Sequence, residues 1–199
     1  MCFSFEMPAD VAKIEARYRA KAKQDKTLVL ESFQNGFAHP FAAIITNDKQ
    51  EIVQFAKWDW LPDEPKLNLL NARIETIDVK PLFRNFAGQR CLIPATAFYE
   101  WQWLDPKGKH KKKFQLSIPG QDIFSFAGLW KIYYDKKTDQ QYNVYLIITT
   151  EANTLMSTIH NRDPQNARMP VIIHPEAEKE WLDKGKISMM NDQLKENEV

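Results

Sequence analysis

"CLIPATAFYEWQW", residues Cys91–Trp103, carries the fold signal of this chain: β-branched and aromatic residues run almost without a break until "LDPKGKHK" (104–111) supplies turn chemistry. Working outward, the same signal repeats in "KFQLSI" (113–118), "IFSFAGLWKIYY" (123–134) and "YNVYLIITT" (142–150), separated by "PGQD" (119–122) and "DKKTDQQ" (135–141). That succession predicts a largely antiparallel sheet. Upstream, "FAAIITNDKQEIVQFAKW" (41–58) is two apolar runs joined by a polar tetrapeptide, a hairpin turning at Asn47 to Gln50. Near the start, Val11, Ile14, Tyr18 and Ala22 recur at helical spacing and predict an amphipathic helix from Pro8 to Lys23. Further helices are expected at Ala152 to Ser157 and at Pro175 to Lys184. The expected fold is therefore α+β: one domain over residues 1–199, a mostly antiparallel, barrel-like sheet with peripheral helices, and a frayed polar tail at 190–199.

Composition narrows the function classes. The chain has 199 residues and a net charge of +1, so a nucleic-acid surface would have to be a local patch. The densest positive run, "KGKHKKK" (107–113), reads first as a solvated hairpin tip. No apolar run approaches the roughly 18 residues of a membrane span, and Glu6, Pro8 and Asp10 leave no room for a secretory signal; a cytoplasmic, nucleoid-associated protein is expected. Cys2 and Cys91 have no metal-type spacing, and the four histidines form no i, i+4 pair, so neither a disulfide, a metal nor a cofactor is expected.

Four places hold residues with chemical potential. Cys2 follows Met1: with Met1 kept it is the start of a buried strand, and with Met1 removed it is a 1,2-aminothiol with a free α-amine beside its thiol. "LNLLNARIET" (67–76) sets Asn71, Arg73, Glu75 and Thr76 after an apolar run. Glu100, between Tyr99 and Trp101, is either a solvent-facing strand residue or a carboxyl held in an apolar site as a general acid. His160, in "STIHNRDPQNARMPVII" (157–173), is either structural or a proton carrier.

Taken in order, these segments resemble the SOS-response-associated peptidase (SRAP) family: Met1-Cys2, Asn71-Ala72-Arg73-Ile74-Glu75-Thr76, Ile93 to Trp101, Ile159-His160 and Arg168-Met169-Pro170, with "NGFAHP" (35–40) and "WDWLP" (58–62) also in position. The resemblance implies a protein, expected to be monomeric, that recognises abasic sites in single-stranded DNA. It further implies a covalent thiazolidine crosslink through Cys2 once Met1 is removed, shielding the lesion during the DNA damage response. Cys2, Asn71, Glu100 and His160 would be catalytic; Arg73, Lys80, Arg84, Thr149 and Arg168 would contact DNA. The family name also invites autocatalytic peptidase, lyase-like or N-terminal-nucleophile hydrolase activity. The chain departs from the family's usual Cys-Gly-Arg start with Cys2-Phe3-Ser4, and from its aromatic segment with Asp59, Asp63 and Glu64, which leaves room for a paralogue with a weakened DNA clamp.

Overall fold

The computed structural model describes residues 2–22 and 30–199. In chain order the regular elements are β1 (Ser4–Glu6), α1 (Val11–Tyr18), β2 (Lys21–Ala22), β3 (Phe33–Asn35), β4 (Phe41–Thr46), β5 (Ile52–Trp58), β6 (Asn71–Arg73), α2 (Pro81–Arg84) and β7 (Arg90–Ala95). The second half adds β8 (Ala97–Trp103), β9 (Lys111–Ser117), β10 (Phe124–Asp135), β11 (Gln140–Glu151), α3 (Thr154–Ile159), β12 (Arg168–Pro170), β13 (Ile172–Ile173), α4 (Glu178–Lys184) and β14 (Lys195–Glu198). The expected α+β class holds: strands form the body, mostly antiparallel, and the four α-helices described are short and peripheral.

Five strands close on themselves. β5 pairs with β4, β4 with β7, β7 with β10 and β10 with β11, all antiparallel, and a parallel pairing of Asn143, Val144 and Tyr145 with Ala56, Lys57 and Trp58 joins β11 back to β5. Closure leaves these strands without an open edge. Inside, close packing needs a glycine at 128, because a Cβ there would sit 2.4 Å from Ile93 Cδ1 and 2.8 Å from both Cys91 Sγ and the Leu146 carbonyl. Further along the edge shared with β5, Ile147, Ile148 and Thr149 of β11 pair with Asn71, Ala72 and Arg73 of β6. The chain thus leaves this edge after Trp58 and rejoins it at Asn71, setting Asn71 at one end of the barrel.

A second sheet, in the order β14-β9-β8-β1-β3, packs beside it. The Cys91–Trp103 stretch crosses between the two. β7 belongs to the barrel and β8 to the second sheet, and at the junction the Thr96 N–H donates to the Glu6 carbonyl at 2.8 Å. Aromatic rings fill the space between: Phe5 meets Trp58 at 5.2 Å and Phe126 at 5.6 Å, and Phe98 meets Phe126 at 5.8 Å, all edge-on.

Three expectations are corrected. The first helix runs only from Val11 to Tyr18: Asp10 caps it, accepting from the Ala12 N–H, and Arg19 ends it at φ 52° so that Lys21 and Ala22 can pair with β5; Lys23 lies outside the described residues. The helix after β11 starts two residues later than expected, at Thr154, because the Asn153 side chain accepts from the Met156 N–H as its cap. The supposed frayed tail is a strand, with Lys195, Glu196, Asn197 and Glu198 paired to Ser117, Leu116, Gln115 and Phe114. Leu194 anchors it by burying its side chain.

Candidate functional site

Cys2, Asn71, Glu100 and His160 come from four separate elements and meet where the barrel adjoins the second sheet. Cys2 precedes β1 and is 1 % exposed. Its carbonyl accepts from Asn71 Nδ2 at 2.9 Å, and its Sγ lies 3.8 Å from the Ser4 carbonyl. Burial, with the charge of Glu100, pushes the Cys2 thiol up to about 12, so the sulfur is a neutral thiol at pH 7. Glu100 projects from β8, and its Oε2 stands 3.3 Å from His160 Nδ1 with 14 % of the carboxylate side chain exposed. It is therefore no solvent-facing strand glutamate.

His160 reaches that position because its loop is pinned to β8. Asn161 accepts from the Trp103 N–H at 2.8 Å and donates to the Trp103 carbonyl at 2.9 Å, while Gln102 Nε2 donates to the Thr158 carbonyl at 3.1 Å. Asn161 and Gln102 are positioning residues that sequence reasoning missed; a single amide side chain satisfying both backbone groups of a distant strand leaves no local signal. Two buried polar atoms beside Cys2, Asn71 Oδ1 and Ser4 Oγ, have no hydrogen-bond partner. Such orphans are costly and mark places where a ligand can supply the missing partner.

The expected DNA contacts divide. Arg73, Lys80 and Arg84 are exposed, Arg73 at the barrel end beside Asn71 and the other two bracketing α2. Thr149 and Arg168 are corrected. Thr149 is 1 % exposed and its hydroxyl donates to the Ala72 carbonyl at 3.2 Å, fastening β6 to β11. Arg168 is buried, and its fork donates to Glu75 at 2.7 and 3.1 Å and to the Thr149 carbonyl at 2.8 Å. A guanidinium so engaged is a strut rather than a phosphate grip. Glu75 loses some hydration there, yet the Arg168 hydrogen bonds and charge hold its carboxyl below the ordinary range.

The acidic residues of "WDWLP" and beyond also differ from expectation. Asp59 is buried within 3.4 Å of His39 Nδ1 and 3.8 Å of Lys57 Nζ, and it accepts from the Leu61 N–H. Asp63 accepts from the Tyr133 hydroxyl at 2.7 Å. Their charges are directed inward to partners instead of outward to a polyanion. Among the described residues no group of three His, Cys, Asp or Glu gathers to hold a metal, and no helix is long and apolar enough to cross a membrane. Met1, whose removal was expected, lies outside the described residues.

Known proteins show the same body. A solved structure from Bacteroides thetaiotaomicron superposes with a TM-score of 0.85 at 28 % identity, covering all of this chain and 92 % of that one. One from Bordetella bronchiseptica gives 0.80 at 20 % identity over 100 % of this chain and 99 % of that one, a likeness of fold. Among curated relatives, the abasic site processing proteins YoqW and YoaM of Bacillus subtilis (strain 168) are 42 % and 39 % identical over 125 and 148 residues. The alignments take in 62 % and 70 % of this chain but only 52 % and 60 % of those proteins. The abasic site processing protein HMCES of Xenopus tropicalis is 28 % identical over 152 residues, 65 % of this chain and 43 % of that protein. The model of the family described as SOS response associated peptidase (SRAP) matches residues 1–198, the span that holds Cys2, Asn71, Glu100 and His160 alike. By that near-complete match the chain belongs to the SRAP family.

Proposed function

We propose that this protein recognises abasic sites in single-stranded DNA and links to them covalently through Cys2 after removal of Met1. The observation that carries the reading is the meeting of Cys2 with Asn71 on one side and the Glu100–His160 pair on the other. Relatives named as abasic site processing proteins support the substrate class.

An abasic deoxyribose opens to an aldehyde. A free α-amine, with an ordinary pKa of about 7.7 to 8.0, is partly neutral at pH 7 and adds to the aldehyde carbon. The carbinolamine loses water to give an imine, which needs a proton delivered to the departing hydroxyl; Glu100 and His160 are the groups at hand. The Cys2 sulfur then attacks the imine carbon, its proton passing to the nitrogen, and a five-membered thiazolidine closes. Aldehyde and aminothiol give thiazolidine and one water, with no redox change. Because the ring closure is intramolecular, a neutral thiol suffices where a proton acceptor stands nearby. Asn71 holds the Cys2 main chain, and its free Oδ1 suits an amine or sugar hydroxyl as donor.

The raised thiol pKa weighs against a cysteine peptidase acting on other chains, since such a nucleophile works as a thiolate at lowered pKa. A peptidase role confined to excision of Met1 needs no groove for foreign peptides and is compatible with the same site.

The test is to mix the protein with single-stranded DNA carrying one abasic site and examine a denaturing gel, with intact mass read on the same material. A retarded band from protein lacking Met1 is expected. Cys2→Ala should give no heat-stable band, yet a band should return on adding borohydride, because its amine still forms a reducible imine. No band from the parent protein would refute the proposal, and durable Cys2→Ala crosslinks without reductant would remove the thiol from it.

A further inference from the structure

Beside Glu100 lies a cleft of about 410 Å³ whose walls are mostly rings: Phe3, Phe33, Phe37, Tyr99 and Trp101, with Ser4 also lining it. Phe3 and Phe37 stack at 4.9 Å with their planes 25° apart, and Phe33 tilts against Tyr99 at 5.7 Å. Several of these rings face water: Phe37 is 57 % exposed, Phe33 42 % and Trp101 37 %. Their arrangement is built rather than incidental. The Gly36 N–H donates to the Phe3 carbonyl at 2.9 Å, and a Cβ at 36 would press to 2.7 Å from Leu70 and 3.3 Å from that carbonyl, so only glycine lets the 36–38 turn lie against β1 and carry Phe37 onto Phe3. Asn35 caps this turn, accepting from the Phe37 N–H.

Two further features point to what enters. The Ser4 hydroxyl, 5 % exposed and without a hydrogen-bond partner, is a polar group in an otherwise apolar lining. At the mouth, Lys113 places its ammonium 4.0 Å from the centre of the Tyr99 ring and about 6 Å from Phe33 and Trp101. The strand register explains this, since Lys113 stands opposite Trp101 on β9. Next along the strands, Lys111 lies over Trp103 at 5.2 Å and Arg162 over the same ring at 5.5 Å. The cleft therefore combines planar apolar walls, one unmatched hydrogen-bonding group and a cationic rim.

We infer that this cleft is a nucleobase subsite, taking the base next to the abasic sugar on the single strand, with Lys113 meeting the phosphate that joins them. A sugar without a base offers no flat face, whereas a base offers one face to stack, edges for Ser4 and a neighbouring anion for Lys113. The inference rests on the proposed substrate, because the cleft adjoins the Glu100 pocket. It also commits the chain to a particular chemistry of recognition, in which stacking supplies what an arginine at position 4 would otherwise supply by gripping phosphate.

The experiment measures noncovalent affinity for single-stranded oligonucleotides holding a central tetrahydrofuran, an abasic analogue with no aldehyde. In one set natural bases flank it, and in the other both neighbours are also tetrahydrofuran. The parent protein should bind the first about 5- to 150-fold more tightly, the range for stacking of one base. Phe37→Leu keeps the apolar bulk of an exposed residue but loses the ring; it should lose most of that preference, and Phe37→Trp should retain it. Phe33→Leu asks the same question independently should the first variant fold poorly. A parent protein indifferent to flanking bases, or Phe37→Leu and Phe33→Leu proteins with the parental preference, would overturn the subsite. Crosslinking to aldehyde-bearing DNA, run in parallel, reports separately on the Cys2 chemistry: crosslinking without base preference defeats the subsite alone, and base preference without crosslinking defeats the chemistry alone.

Discussion

Changing Glu100 to Gln separates a proton carrier from a structural acceptor. The substitution keeps length and shape, and the Gln carbonyl can still accept from His160 across the 3.3 Å now spanned by the carboxylate. Stability should accordingly change by no more than about 1 kcal/mol. The kinetics should respond much more. Loss of a general acid–base group costs about 10²- to 10⁴-fold in rate. With 14 % of the Glu100 side chain exposed, water has little access to stand in for it, which places the expected loss in the upper part of that range. A loss of about 10³- to 10⁴-fold corresponds to roughly 4 to 5.5 kcal/mol of barrier, several times the stability effect. The assay is single-turnover crosslinking to an abasic oligonucleotide, with thermal unfolding and noncovalent affinity measured on the same preparations. His160→Ala should be less than additive with Glu100→Gln, since both remove parts of one proton path. A Glu100→Gln protein that crosslinks at the parental rate would refute the assignment and return Glu100 to the role of a strand residue that merely holds His160.

The remaining predictions concern the frame that presents the site. Glu75→Gln should destabilise the protein by about 1 to 3 kcal/mol at pH 7, because the buried Arg168 loses its charged acceptor while Glu75 itself is partly exposed. Glu75 titrates below its ordinary 4.5 in the folded protein, so its contribution is complete above that value and is lost as pH falls through the lower folded value; denaturant titrations of parent and variant should converge on acidification through that window. A gap that persists unchanged to the lowest pH measured would refute the ion pair as its cause. Gly128→Ala should cost about 1 to 3 kcal/mol by overpacking the barrel, a fall of about 2 to 12 °C in Tm, because the added methyl meets the Leu146 carbonyl at 2.8 Å as well as side chains. An unchanged Tm would mean that the closed barrel has more slack than its packing implies.

The long β-rich runs were legible because each offers enough residues for its composition and bounding turns to register. β4, β5 and β7 to β11 all fall within or overlap the stretches read from sequence. The three-residue strands β1, β3, β6 and β12 gave no such signal, since a period of two cannot be established in three positions. Barrel closure was invisible for another reason: the parallel contact of β5 with β11 joins residues far apart in the chain, and nothing local encodes it. The Cys91–Trp103 stretch shows the limit most clearly. Its composition reads as one strand, yet the partner changes at Thr96, because pairing belongs to the surrounding chain and composition does not reveal it.

The site divides along the same line. Motifs in order named the four residues that meet, but an arginine looks the same in sequence whether it will face a phosphate or a carboxylate. Arg168 meets Glu75, 93 positions away, and so leaves the DNA surface, while Lys113, read as part of a solvated hairpin tip, stands at the mouth of the cleft. Phe3 reverses its meaning in a similar way. At the level of sequence it is the loss of a small residue beside the loss of an arginine, which suggests only weaker binding. In three dimensions it has a partner, since Gly36 carries Phe37 onto it and Phe33, Tyr99 and Trp101 complete the walls. The two views predict different salt behaviour. A thinned phosphate clamp binds weakly at every ionic strength and keeps the steep salt dependence of whatever phosphate contacts remain. A stacking subsite with one rim lysine keeps its base preference as salt rises, and Lys113→Gln should lower the slope of log affinity against log salt by about one while leaving that preference in place.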